Sequence, residues 1–251
     1  METNTINSTV FLNRLVDLLA RVKDRESENI EKAAEIVADT IASDGVVHVF
    51  GSGHSHGFGV EMANRPGSLA PIHSIATSDM VTKGLYSYAE FKDPNNIFER
   101  RPGVADQFYE MYGIQPQDSF IIISNSGING MVIDLALKAK EKNHKVIVVT
   151  SMEHTTSEPS RHPSGKKLYE IGDLVIDNCG PKGDALMETG KVEKICSVSS
   201  ITGAMIAQMI GLGAMEILEE RGIDAPVWYG EDTPEQAEHD KKLREHYSGR
   251  I

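Results

Sequence analysis

The pattern of hydrophobic and polar positions predicts strands that alternate with helices. Short apolar runs at residues 46–50, 120–123 and 146–149 are each long enough for one buried strand. The segment between the last two runs is amphipathic. A strand, a turn, a helix and a second strand in this order build a parallel βαβ unit, so the chain is predicted to be an α/β protein.

Two helices are predicted before the first strand, at residues 10–22 and 28–42. Leu18 of the first and Val37 of the second lie on apolar faces, with charged residues opposite. A helical hairpin at the start of a chain has no earlier element to cover, and it often serves a subunit contact. Residues 1–44 are therefore predicted to be a helical hairpin that packs on the sheet domain or at a dimer interface.

Residues 231–251 are predicted to be a charged C-terminal helical tail. Thr233 is a suitable helix cap, and Pro234 suits the first helical position. The segment between the hairpin and the tail, residues 45–230, is the predicted sheet domain.

Composition and charge narrow the class of protein. The 251 residues are 40% hydrophobic and 25% charged, which is typical of a globular protein with a substantial core. The net charge is -12, and a nucleic-acid-binding face needs an excess of Lys and Arg, so no nucleic-acid partner is predicted. An acidic chain can still hold one phosphate group of a small molecule through backbone amides and hydroxyls.

Several features predict a cytoplasmic protein without a membrane partner. Cys179 and Cys196 are too few for a disulfide framework and lack metal-ligand spacing. Residues 1–8 contain no basic segment followed by an apolar core, so no secretory signal is expected. The most apolar stretch, residues 204–218, is interrupted by Gln208 and by glycines, and it is predicted to be a buried helix.

The turn after the run at residues 120–123 has the composition of an anion site. Ser124 and Ser126 offer hydroxyls, Asn125 lies between them, and Gly127 lets the backbone approach a ligand. The helix that follows directs free N–H groups at the same place, which favours a phosphate. The alternative is that these residues only cap the helix.

A second turn of this kind follows the first strand, at residues 51–57 (GSGHSHG). As a dinucleotide-binding fingerprint it is weak, because His56 stands where the pattern requires Gly. Ser52 and Ser55 flank its glycines as the two serines flank the later turn. Turns at the carboxyl ends of parallel strands converge on one crevice, so the pair favours a shared phosphate site over capping.

The two turns together resemble the phosphosugar-binding domain of the sugar isomerase (SIS) family. GSGHS at residues 51–55 and ISNSGIN at residues 123–129 are similar to the family's two serine-bearing turns, and the resemblance covers roughly residues 28–219. It implies a three-layer, doubly wound parallel sheet. The implied ligand-holding residues are Ser52, Ser55, Ser124 and Ser126, with the turn neighbours Gly53, His54 and Asn125, and Asn129 where the family usually has Thr.

An isomerase of this kind moves a proton between adjacent carbons, which requires a base and groups that stabilise the enediolate oxygen. Glu61, about two helical turns after the first strand's turn, is the predicted base. His56 is the second predicted catalytic residue, and His162 and Glu188 are further candidates. The alternative for Glu61 is a surface or interface ion pair.

No metal and no cofactor are predicted. The resemblance is close to the phosphoheptose isomerases, which carry a His and a Glu on this helix as zinc ligands. Gap-free matching places Glu61 at the position of that His and Arg65 at that of the Glu.

These observations predict a sugar-phosphate isomerase, a homodimer or homotetramer, whose ligand is a phosphorylated sugar. Two alternatives stay open. The first is a non-catalytic phosphosugar sensor. The second is a sugar-phosphate lyase or etherase on the same scaffold, because a fold does not decide among reactions.

Overall fold

A five-stranded parallel sheet forms the centre of the molecule in the computed structural model, which describes residues 6–101, 103–190 and 194–251. The strands lie in the order β2-β1-β3-β4-β5, and a separate two-stranded antiparallel ribbon pairs β6 with β7. The strands are β1 (Val47–Gly51), β2 (Ile72–Ile75), β3 (Ser119–Ile123), β4 (Lys145–Thr150), β5 (Leu174–Asp177), β6 (Ala185–Met187) and β7 (Ile195–Ser197).

Helices cover both faces of the sheet. They are α1 (Ser8–Ala42), α2 (His56–Met62), α3 (Asp79–Thr82), α4 (Tyr88–Phe91), α5 (Ala105–Met111), α6 (Gly130–Glu141), α7 (Met152–Ser157), α8 (Ser199–Glu220) and α9 (Pro234–His246). Successive strand residues point to opposite faces. Ile121 and Val149 join a core with α1, α2 and α8, whereas Phe120 and Val148 join a core with α5 and α6. The predicted three-layer, doubly wound α/β fold is confirmed.

The predicted N-terminal hairpin is wrong, because the two predicted helices are one continuous helix of 35 residues, α1. Asn7 begins it, with its side-chain oxygen accepting from the backbone N–H of Thr9 at 2.8 Å. The charged segment at residues 23–27 contains no Gly or Pro, so nothing there ends the helix. Residues 1–5, on which part of the expected absence of a secretory signal rests, lie outside the described residues.

The predicted apolar helix around residues 204–218 is part of α8. In the described part of the chain, α8 is the one helix that is long and apolar enough to cross a membrane, judged by length and composition, and 39% of its most apolar window is buried. Its buried residues pack in the same core as α1 and α2. In the tail, α9 begins as predicted, with the Thr233 hydroxyl accepting from the N–H of Gln236 at 3.3 Å.

Candidate functional site

The turn after β1 is wound so tightly that it requires glycine at two positions. A Cβ atom on Gly51 would lie 2.5 Å from the carbonyl oxygen of Ser55, and Gly53 has a φ of 58°. The N–H of Ser55 donates to the carbonyl of Ser52 at 3.2 Å. The turn therefore folds back on itself and leads directly into α2.

The turn after β3 is fixed by its own first serine. The N–H of Gly127 donates to the Ser124 hydroxyl at 3.1 Å, and the Thr150 hydroxyl donates to the Ser124 carbonyl at 2.7 Å. Gly127 has a φ of 61°, and a Cβ atom there would lie 2.9 Å from the Thr155 hydroxyl. Ser124 thus shapes the turn, as the capping alternative supposes, while its hydroxyl proton stays available to a ligand.

Three predicted serines keep their hydroxyls unpaired within the described residues: Ser52, Ser55 and Ser126. Ser52 is buried, and the other two are half-buried. None of the three hydroxyl oxygens is fully enclosed, so each can donate to a molecule that approaches from the solvent. These serines are therefore suited to a ligand.

The amino end of α6 lacks a side-chain cap. Asn129 stands at the capping position but makes no capping bond, because its side-chain oxygen instead accepts from the Arg161 guanidinium at 2.9 Å. The first N–H groups of α6 therefore have no side-chain partner. Sequence analysis did not single out Arg161, whose loop approaches this turn only in the folded chain.

Asn125 is held by a chain of side-chain amides. Its Oδ1 accepts from the Asn178 Nδ2 at 2.9 Å, and the N–H of Gly180 donates to the Asn178 Oδ1 at 2.8 Å. The Asn125 Nδ2 lies 3.4 Å from the His154 Nδ1. Burial lowers the pKa of His154, which favours the neutral ring that can accept this bond. Asn178 was also missed, although its position directly after β5 is the signal that identified the two turns.

The two turns border one cavity, which His54, Ser55 and Asn125 line but Ser52, Ser124, Ser126 and Asn129 do not. The strand order reverses between β1 and β3, and in doubly wound sheets ligands bind at this switch point. The cavity is bounded by the two turns, by the start of α8 and by the residue that follows β5. Its polar lining residues are His54, Ser55, Asn125, Asn178, Ser199 and Ser200.

Glu61 and His56, the predicted catalytic residues, do not line this cavity. They line a separate, open cavity, beside Ser74 of β2. The Glu61 carboxylate accepts from Arg65 at 2.5 Å and from Gln208 at 2.6 Å. Nδ1 of His56 is buried without a partner in the described residues. The catalytic role of both residues stays a prediction.

Glu99, which sequence analysis did not consider, lies against the first turn. Its Oε2 atom would be 3.5 Å from a Cβ atom on Gly53. Phe98 beside it is buried in the core with α5 and α6, which fixes the backbone of Glu99. Glu99 is half-buried and forms no hydrogen bond or ion pair with any described residue.

Comparison with known proteins agrees with the fold. The profile of the SIS domain matches residues 10–151. The chain belongs to the SIS domain family. A UPF0309 protein of Listeria monocytogenes is 35% identical over 242 residues, covering 96% of each chain. A UPF0309 protein of Geobacillus kaustophilus is 34% identical, covering 96% of this chain and 94% of that protein.

Solved SIS structures share the fold. Phosphoheptose isomerase GmhA from Neisseria gonorrhoeae aligns with a TM-score of 0.53 at 17% identity, covering 84% of this chain and 96% of that one. A phosphoheptose isomerase from Francisella tularensis aligns with a TM-score of 0.54 at 15% identity, covering 83% of this chain and 96% of that one. At these identities the likeness shows the fold alone.

The α2 helix of this SIS protein does not fit the zinc site of the phosphoheptose isomerases. The two positions matched to the ligands carry Glu61 and Arg65, and their side chains form an ion pair with each other. A guanidinium cation repels a metal ion and donates no lone pair to it. Among the described residues, no group of three or more His, Cys, Asp or Glu is arranged to hold a metal ion.

Proposed function

We propose that this SIS protein binds a phosphorylated sugar between its first and second turns and isomerises it between aldose and ketose. The observation that carries the proposal is the uncapped amino end of α6, with the unpaired hydroxyl of Ser126 beside it and that of Ser55 on the adjacent turn. A helix amino end and free hydroxyls supply the donors that a phosphate dianion needs.

Aldose–ketose isomerisation requires a base and hydrogen-bond donors to the oxyanion. A carboxylate takes the proton from the carbon next to the carbonyl, and the electron pair moves into an enediolate. The hydroxyl proton passes to the former carbonyl oxygen, and the carboxylic acid returns its proton to the former carbonyl carbon, so that the neighbouring carbon becomes the new carbonyl. Donors near the developing oxyanion stabilise it. The chain offers two candidate bases, Glu61 from the sequence and Glu99 from its place against Gly53.

Binding and turnover test the proposal separately. Isothermal titration with aldose and ketose monophosphates of four to seven carbons measures affinity, and NMR of the same mixtures measures isomerisation. The double variant Ser55→Ala, Ser126→Ala is expected to lose affinity about a hundredfold or more, since each of the two lost bonds to a charged group is worth about 1.5 kcal/mol or more. Ser248→Ala, an exposed serine whose side chain has no described partner, is the matched control. If neither sugar class binds, the proposal is wrong.

The binding-only alternative, a phosphosugar sensor, has one observation in its favour. The Glu61 carboxylate already accepts hydrogen bonds from Arg65 and Gln208, so it is poorly placed to take a proton from a substrate. Tight binding with no isomerisation across the panel would favour the sensor.

The predicted homodimer or homotetramer and the cytoplasmic location remain part of this proposal. An exposed apolar side chain on α8, Leu212 at 69% exposure, supports self-association. It borders a groove lined by Met62, Leu69 and Met215.

A further inference from the structure

Arg161 forms no ion pair with any described carboxylate, and the one carboxylate whose pKa its charge helps to lower, that of Glu158, is itself paired with Lys182. Its guanidinium is exposed and makes one hydrogen bond, to the neutral side-chain oxygen of Asn129 at 2.9 Å. The chain has 37 acidic and 25 basic residues, so a counterion would be easy to supply. An arginine fork left with most of its donors free suits a planar or tetrahedral oxyanion.

The loop around Arg161 is fastened to the second turn by its backbone. The N–H of Arg161 donates to the carbonyl of Ile128 at 3.0 Å, and the N–H of Leu168 donates to the carbonyl of Gly127 at 2.9 Å. Both acceptors belong to the segment between β3 and α6. The loop therefore sits on the turn and moves with it.

Side-chain contacts hold the same loop rigid. His162 Nε2 lies 2.7 Å from Asp134 of α6, and its Nδ1 lies 2.7 Å from the Ser164 hydroxyl. The Ser160 hydroxyl donates to the carbonyl of Lys166 at 2.6 Å and closes the loop. These contacts fix the backbone that carries Arg161, and the bond to Asn129 orients its guanidinium, so less freedom is lost when it binds a ligand.

We infer that Arg161 is a phosphate-binding residue of the site, reaching across the amino end of α6 to the phosphoryl oxygens of the bound sugar. This inference rests on the proposed function. Asn129 takes part indirectly, because it turns its side-chain oxygen to the guanidinium and leaves the helix N–H groups uncapped. The phosphate then occupies the α6 side of the crevice, and the sugar extends toward the first turn.

Titration with inorganic phosphate, followed by the best sugar monophosphate of the panel, tests the inference. Arg161→Gln keeps an N–H donor for Asn129 while it removes the charge, and it is expected to weaken both ligands about tenfold or more. The salt dependence of binding is expected to become shallower in the same variant, because one cation–phosphate contact is lost. The affinity of Arg161→Lys is expected to lie between those of the parent and of Arg161→Gln.

Lys166→Ala is the matched control, since it removes a cation from the same loop and its side chain contacts no described residue. It is expected to stay within about twofold of the parent, with unchanged thermal unfolding. If the parent binds and Arg161→Gln binds equally well, or if Lys166→Ala loses as much, Arg161 has no such role although the proposed function stands. If the parent binds no sugar phosphate, both fail.

Discussion

Nδ1 of His48 lies 3.0 Å from Nδ1 of His73, where neighbouring strands β1 and β2 carry the two rings side by side. Nε2 of His48 lies 3.1 Å from the carboxylate of Asp118. That carboxylate also accepts from Arg250 at 2.7 Å, so Asp118 connects His48 to the segment that follows α9. Both imidazoles are buried, and one nitrogen of the contact must be an unprotonated acceptor.

The histidine pair predicts that stability falls as the solution becomes acidic. Burial, followed by the proximity of His48, lowers the pKa of His73 from 6.5 to about 3. Below the ordinary histidine pKa the unfolded chain takes up a proton that the folded chain refuses. The contribution of neutral His73 to the free energy of unfolding is therefore fully present above about pH 6.5. It is lost as the pH falls toward 3, at up to about 1.4 kcal/mol per pH unit.

Urea unfolding between pH 7 and pH 4 measures this slope, and His73→Gln removes the titrating group. The unfolding free energy of the variant is expected to depend less steeply on pH, because about one proton fewer is taken up on unfolding. Some dependence is expected to remain, because burial also lowers the pKa of His144. His54→Gln, at an exposed ring that forms no hydrogen bond or ion pair with a described residue, is the control. A parent-like slope in His73→Gln would show that His73 is protonated in the folded protein.

The first turn predicts a sharp difference between two glycines six residues apart. Gly51→Ala places a methyl group 2.5 Å from the backbone oxygen of Ser55, so the turn must move. Such overpacking costs about 1–3 kcal/mol, and sugar-phosphate affinity is expected to fall with it. Gly57→Ala meets no atom within 4 Å and lies in α2, where alanine favours the helix.

Thermal unfolding and phosphate titration of both variants check this prediction. Gly57→Ala is expected to be as stable as the parent or slightly more stable, with unchanged affinity. Parent-like binding by Gly51→Ala would mean that the ligand does not depend on the shape of this turn.

The two turns were predictable because their chemistry is local. Each turn lies at the carboxyl end of an apolar strand, with Gly51 and Ser55 at β1 and with Ser124 and Gly127 at β3. The parallel sheet brings the ends of these two strands to one edge. The continuous α1 was not predicted, because a drop in apolar periodicity at residues 23–27 resembles a loop. The helix persists there because it has no breaking residue and because Glu26 is largely buried.

The contacts that complete the site were not predictable from local pattern, although Asn178 carries the local signal of following a strand directly. Arg161 lies 32 positions from Asn129, and Asn178 lies 53 positions from Asn125. Glu99 comes from the irregular segment between β2 and β3 and reaches Gly53 because Phe98 anchors it in the core. Each of these contacts depends on how loops pack on a finished sheet, a tertiary effect that residue spacing does not encode.

The most exposed large apolar side chain of α8, that of Leu212, predicts self-association. Leu212→Asp places a charge on the 69% exposed position and is expected to shift the protein to smaller species in light scattering after gel filtration. Leu85→Asp, at a 49% exposed position outside α8, is the control and is expected to leave the assembly unchanged. A monomeric parent would contradict the predicted oligomer.

The two candidate bases predict unequal losses of turnover. Glu61 is engaged by Arg65 and Gln208, whereas Glu99 has no described partner and faces the first turn. We expect Glu99→Gln to lower kcat about a hundredfold or more with ligand affinity retained, as loss of a general base does, and Glu61→Gln to lower it less. Glu110→Gln, an exposed carboxylate on α5, controls for the change in net charge. If Glu61→Gln alone abolishes proton exchange with deuterated solvent, the base is the one that the sequence suggested, and its ion pair with Arg65 must open during each turnover.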